Sequence, residues 1–189
     1  MGMNANDSLT NHFLIAMPAL EDPNFSHTVT YICQHDEQGA MGIVCNRPQE
    51  LTVREVLEHL EIPVSESLDA DIPVYTGGPV QSEHGFVLHS PVGPWSASLQ
   101  VTEDIALTTS LDILSAIAEG AGPPHYLLAL GYAGWGAGQL EEEMAANAWL
   151  SGPADTTILF ETPPQARWAA AAALLGVDLN LLSGEVGHS

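Results

Sequence analysis

Between Pro123-Pro124 and three consecutive glutamates the chain reads HYLLALGYAGWGAGQLEEE, His125 to Glu143, and this stretch narrows the fold more than any other. The apolar run HYLLALGY, entered from two prolines, is expected as a buried strand. Gly131, Gly134, Gly136 and Gly138 then surround Trp135 and predict a tight turn, since glycine takes left-handed backbone without a steric penalty. With Gly138 as N-cap, a helix follows whose first turn holds Glu141, Glu142 and Glu143, Glu141 standing at the N3 capping position. Strand, glycine-rich turn and helix is also the geometry in which backbone N–H groups hold an anion. Phosphate is disfavoured, because no G-x-x-x-x-G-K-[ST] or in-register G-x-G-x-x-G is present, no cation stands nearby, and the glutamates already complement the helix dipole. The expectation is a structural turn that lets Trp135 wedge against neighbouring backbone, with the lip of a binding pocket as the alternative.

The rest of the chain is punctuated in the same way. HFLIAM (His12 to Met17) and HTVTYICQ (His27 to Gln34) are expected as strands, and HDEQG then leads into AMGIVCN, a hairpin-like arrangement ending at Arg47-Pro48. Thr52 to Glu61 is expected as a short amphipathic helix with Val53, Val56, Leu57 and Leu60 on one face. Strands follow at IPVYTGG, GFVLHS and WSASLQV. The second half alternates: TTSLDILSAIAEG as a helix with Thr109 as N-cap and Gly120 as stop, the apolar strand, a helix reaching Leu150, and TTILFE as a strand. Last comes an alanine-rich helix opened by the capping-box spacing Thr162-Pro163-Pro164-Gln165. This order predicts an α+β class in a single domain over 1–189, with 1–10 and 184–189 as flexible tails.

Charge decides which partners are open to such a chain. It carries 24 acidic residues against three arginines, Arg47, Arg54 and Arg167, and no lysine, a formal net charge of -21. Specific DNA binders neutralise roughly 6 to 10 phosphates with Lys and Arg, so nucleic acid is an unfavourable partner here. A host with high internal salt would screen such a surface, and salt adaptation is the expectation drawn from the acidity. No apolar run approaches the roughly 18 residues of a membrane-spanning helix, and Met1 to Asn11 lacks the cationic start of a signal peptide. A cytoplasmic location is expected, and the two cysteines, Cys33 and Cys45, fit a reducing compartment.

Several constellations could carry chemistry. Cys45 stands two residues from Arg47, which could lower its pKa; a buried strand cysteine is the commoner fate and the favoured reading. Cys33 and His35 at i, i+2 share a strand face near Cys45, but a zinc site lacks a fourth ligand. His84 and His89 lie five apart on a strand, hence on opposite faces, and His89 reads either as a general base or as a half-buried histidine with one ring nitrogen satisfied by backbone. Gly77 and Gly78 in YTGGPV mark a turn first and a ligand cradle second. No metal or cofactor is expected, and no catalytic residue is named.

The landmarks HFLIAMPALEDPNF, GAMGIVCNRP, VYTGGPV, EHGFVLHS, TTSLDIL, LALGYAGWGAGQLEEE, NAWL and RWAAAAALLGVDLNLLSGEVGHS, in that order, resemble the AlgH/YqgE family of bacterial proteins over nearly the whole chain. Cys45 stands where an aliphatic residue is usual in that family, and His84 where a basic residue is more familiar. The resemblance implies a complex coiled and bifurcated β-sheet with flanking helices, and a transcriptional-regulator label that derives from alginate biosynthesis. It implies no reaction and carries across no catalytic residue.

The reading of function is a non-enzymatic regulatory or interaction module, acting through an unidentified protein partner or small ligand. Its candidate binding site is a cleft of Asn46, Arg47, Gly77, Gly78, His89 and Trp135 with the Gly131–Gly138 loop. The alternative is an enzyme using the same cleft, which would need Arg47, His89 and an acid such as Glu83 within hydrogen-bond reach of one another. Direct DNA binding is the lesser alternative, set back by the net charge.

Overall fold

The apolar run and the glycines after it form one strand, not a strand and a turn. A computed structural model describes residues 8–69 and 71–179, and in it the strand runs from His125 to Gly136. The strands are β1 (His12–Ala16), β2 (Val29–Asp36), β3 (Gly39–Val44), β4 (Pro48–Thr52), β5 (Pro73–Thr76), β6 (Val80–Ser90), β7 (Ser98–Gln100), β8 (Ala106–Thr108), β9 (His125–Gly136) and β10 (Trp149–Pro153). The helices are α1 (Val53–His59), α2 (Leu111–Glu119), α3 (Gln139–Ala145), α4 (Thr156–Phe160) and α5 (Arg167–Ala173). The class is α+β, as expected.

β9 is where the sheet divides. Ala133 to Gly136 pair with β3, which continues through β2 and β1 to β10. The earlier residues pair antiparallel with β6, which leads to β8 and β7, while Ala129 and Leu130 pair in parallel with β5 and so with β4. Successive β9 side chains accordingly serve three cores. Leu127 and Ala129 enter the one under α4 and α5, Leu128 enters the one under α1 and α2, and Ala133 and Trp135 enter the one beside α3. An unbroken apolar pattern is what a strand covered on both faces requires.

The helix signals hold in part. Thr52 caps α1 in a full capping box with Glu55, each side chain bonded to the other's backbone N–H, and α2 stops at Gly120 in the left-handed conformation, φ +82°. Gly138 is the N-cap of α3 at φ +77°. Four expectations are corrected. TTILFE is the helix α4, because Asp155 accepts the Ile158 N–H as N-cap and Ile158 and Leu159 pack into the sheet face. α3 ends at Ala145, and Trp149 and Leu150 belong to β10, paired with Ala16 and Ile15 of β1. Thr162 caps nothing: a 3₁₀ turn over Pro164–Ala166 precedes α5, and the Thr162 hydroxyl donates back to the Thr157 carbonyl. The N-cap of α2 is Ser110, one residue after Thr109.

The expected tails fall mostly outside the described residues, at 1–7 and 184–189. Ser8 to Thr10 are held in place, since the Leu9 N–H donates to His35 Nδ1 at 2.9 Å and the Ser8 hydroxyl to the His35 carbonyl.

Candidate functional site

The glycines of the anticipated cleft meet at the fork of the sheet. Gly77 donates its N–H to the Leu130 carbonyl, and its own carbonyl accepts from Val44 N–H, so this short piece bridges β3 and β9. A Cβ on Gly77 would stand 2.3 Å from the Gly131 carbonyl oxygen, and one on Gly78 would stand 2.1 Å from the Tyr132 carbonyl carbon. Gly131, at φ +81°, would in turn meet the Gly78 carbonyl at 2.3 Å. Backbones this close leave no space between them for a ligand. The glycines therefore join the strands.

Trp135 is 6 % exposed and packs with Trp149 and Phe25, ring centroids 5.5 to 6.2 Å apart. A single carboxylate oxygen, Glu143 Oε1, accepts from both indoles, at 3.0 Å from Trp135 and 2.9 Å from Trp149, while Oε2 accepts from Gln139. Trp135 is a core wedge fastened to α3. The sequence placed Glu143 in the helix after Trp135, and nothing in it marked that carboxylate as the shared acceptor of two indoles.

Asn46 and Arg47 clamp backbone. Asn46 accepts from Val29 N–H and donates to the His27 carbonyl, and Arg47 donates to the carbonyls of Pro23, Asn24 and Ser26 at 2.7 to 2.8 Å. Partial burial holds the Arg47 pKa below its ordinary value. Arg47 and Gly78 do border one small hollow of about 230 Å³ with Thr76 and Ser82. That corner is what the structure brings together of the six candidates.

His89 stands elsewhere and is wholly buried, not half-buried. Its Nδ1–H donates to the Pro91 carbonyl at 3.0 Å, so Nε2 is the acceptor, taking the Thr108 hydroxyl at 2.7 Å; Thr108 oxygen then accepts from Ser98. Both ring nitrogens are engaged, and burial pushes the His89 pKa down, keeping the ring neutral. Arg47, His89 and Glu83 share no hydrogen bond, so the convergence required of an enzyme at this cleft is not formed.

The cysteines are inert by position. Both are buried, and burial pushes the Cys45 thiol up to about 12, against the opposing effect of a nearby guanidinium. That guanidinium belongs to Arg167, which donates to the Cys45 carbonyl; Arg47 reaches the other way. A register shift between Ile32 and Gln34 puts Cys33 in the core under α4 and α5 while His35 turns to Glu141 of α3, at 3.4 Å. Among the described residues no group of three or more His, Cys, Asp and Glu is placed to hold a metal ion.

A large opening lies away from the six anticipated residues, lined in part by Glu83, His84 and Gly85 of EHGFVLHS and by Leu111 and Leu114 of TTSLDIL. A cleft of about 910 Å³ separates α1 from α2, with Val56 and Leu60 on one wall, Leu111 and Leu114 on the other, and Leu128 and Leu130 of β9 as its floor. Leu111 is 62 % and Leu60 45 % exposed. Glu55, His59, Glu83 and His84 stand at its border, and they make no hydrogen bond to one another. Sequence periodicity assigned Leu60 to an apolar helix face, and periodicity does not distinguish a covered face from an open one.

With this geometry in hand, the AlgH-like family model (DUF179) matches residues 13–180. The chain belongs to the AlgH-like family. It is 63 % identical over 99 % of its length to a UPF0301 protein of Thioalkalivibrio sulfidiphilus, all of which is covered, and 57 % identical over 95 % to one of Nitrosococcus oceani, covering 96 % of that protein. The solution structure of AlgH from Pseudomonas aeruginosa superimposes with a TM-score of 0.80 at 52 % identity, 97 % of each chain being covered. A crystal structure of a protein from Corynebacterium diphtheriae shares the fold at 21 % identity, TM-score 0.73. Among the described residues of this AlgH-like chain no helix is long and apolar enough to cross a membrane.

Proposed function

We propose that this AlgH-like protein is a non-enzymatic, cytoplasmic binding module that works through the cleft between α1 and α2. One observation carries the reading: about 910 Å³ of space walled by leucine and valine, at the upper end of the size range of ligand sites, with exposed leucines at its mouth. The polar groups at the border are spaced around an apolar surface and are not joined into a nucleophile and base. Any regulatory role then runs through a bound partner or ligand, and the net charge of -21 opposes direct contact with DNA.

Nile red, an uncharged probe of apolar surface, tests the cleft. Its emission is expected to rise and saturate with the folded protein, and to fall back in the double variant Leu60→Asp, Leu111→Asp. An enhancement that the double variant keeps, or none in the wild type, overturns the reading. The acidity is read separately, as adaptation to high internal salt. Melting temperature should then climb steeply between dilute buffer and molar KCl, and a flat response removes that idea.

A further inference from the structure

We propose that the occupant of this cleft is a cationic amphipathic helix of a protein partner. The proposal rests on the reading of the cleft as a binding site and adds the chemistry of what fills it. Val56 of α1 and Leu60, its C-cap, stand one turn apart, and Leu111 and Leu114 three residues apart on α2. These are the i, i+4 and i, i+3 rows whose ridges a further helix packs between, and Leu128 and Leu130 supply an apolar floor under it. A helix with apolar residues at i, i+3, i+4 and i+7 would bury the exposed parts of Leu60 and Leu111.

Charge selects the flanks of that helix. Glu55 of α1 and Glu83 of β6 border the cleft, and no lysine or arginine does. The three arginines are committed to backbone: Arg47 to the Pro23, Asn24 and Ser26 carbonyls, Arg54 to those of Ser65 and Leu68, and Arg167 to those of Thr162 and Cys45. A chain of net charge -21 with its guanidinium groups turned inward offers an acidic partner no attraction, and a second copy of itself none either. Lysines and arginines along the edges of an apolar stripe match both the border and the surrounding field.

The test uses three synthetic peptides of about 18 residues, long enough for several helical turns, each carrying a neutral fluorophore and read by anisotropy. The first has leucines at i, i+3, i+4 and i+7 with lysines at the flanks; the second has glutamates in place of the lysines; the third has the composition of the first in an order without an apolar face. The first should bind, and the other two at least about ten-fold more weakly, a difference of roughly 1.4 kcal/mol. Leu60→Asp with Leu111→Asp should weaken the first peptide by about ten-fold or more. Glu55→Gln with Glu83→Gln should weaken it by about three-fold to ten-fold and flatten its salt dependence, and glutamine at 55 keeps the capping box.

Equal binding of the first and third peptides means diffuse attraction to an acidic surface and overturns the proposal. Equal binding of the first and second overturns the cationic flank. If Nile red binds at the cleft while the first peptide does not, the helix is the wrong occupant and the cleft reading stands; if neither binds, both fail. A dimer in sedimentation that Leu111→Asp dissolves would make a second copy the occupant and overturn the proposal as well.

Discussion

The fork of the sheet and the cleft between α1 and α2 are opposites in sequence and in structure. The fork gathers the conspicuous residues, Gly77, Gly78, Gly131 and Trp135; Gly77 is hydrogen-bonded to neighbouring backbone on both sides and the Trp135 indole to Glu143. The cleft is lined largely by leucines and a valine that carry no chemistry of their own, with Glu55, His59, Glu83 and His84 at its border, and it holds the space. A dense run of glycine and tryptophan therefore marks the place where backbones must pass closest. Room for a ligand appears where two short helices stop short of covering the sheet.

Breaking the fork should have the largest effect. Gly78→Ala drives a methyl group into Tyr132 and Ala133 backbone at φ +155° and is expected to cost at least about 3 kcal/mol in chemical denaturation, whereas Gly138→Ala, at φ +77° with nothing within 4 Å, should cost only about 1 to 2 kcal/mol. Similar losses for the two would mean that close approach is not what the fork requires. Removing the shared acceptor comes next. Glu143→Ala strands the indole N–H groups of Trp135 and Trp149 and should cost about 2 kcal/mol with a loss of near-UV ellipticity; unchanged spectra would show the clamp to be incidental.

A smaller, pH-dependent effect is expected from His89. Burial lowers its pKa in the folded state, so the unfolded chain binds the extra proton first, and stability falls as pH drops from the ordinary histidine value of about 6.5 toward the lower folded value. Below that value the contribution is lost in full. His89→Gln should remove this part of the slope over that window, measured as the difference between the two proteins' denaturation curves; parallel slopes would rule it out. Least of all should Leu111→Asp disturb the fold, with a change inside about ±0.5 kcal/mol, because its side chain is mostly in water. A large destabilisation there would mean that the cleft is part of the core, and the contrast between the two regions would close.

What could be read beforehand follows the range of the forces involved. The stop at Gly120 and the helix start at Gly138 depend on residues within one turn, and both were legible; the capping box of Thr52 and Glu55 is equally local, but periodicity put Thr52 inside the helix. TTILFE misled because its β-branched residues favour a strand only until Asp155 caps them and the sheet face accepts Ile158 and Leu159. Cys45 is buried, as the sequence favoured; the lesser reading, activation by Arg47, rested on nearness in the chain, and in space the neighbouring cation is Arg167, 122 residues away. Of the anticipated cleft, Arg47 and Gly78 border a common hollow, while Trp135 lies in the core beside α3 and His89 is buried against Pro91 and Thr108.

The sequence by itself determined the α+β class, the buried strand at the centre of the chain, the family, and a surface that disfavours nucleic acid, since all of these rest on composition, local pattern or ordered motifs. Only the tertiary structure decided that the glycines fork a sheet and that an apolar helix face is left uncovered. Both depend on contacts between residues far apart in the chain, such as Gly78 against Tyr132 and Leu60 across from Leu111, and a period of 2 or 3.6 residues says which face is apolar without saying what, if anything, lies on it.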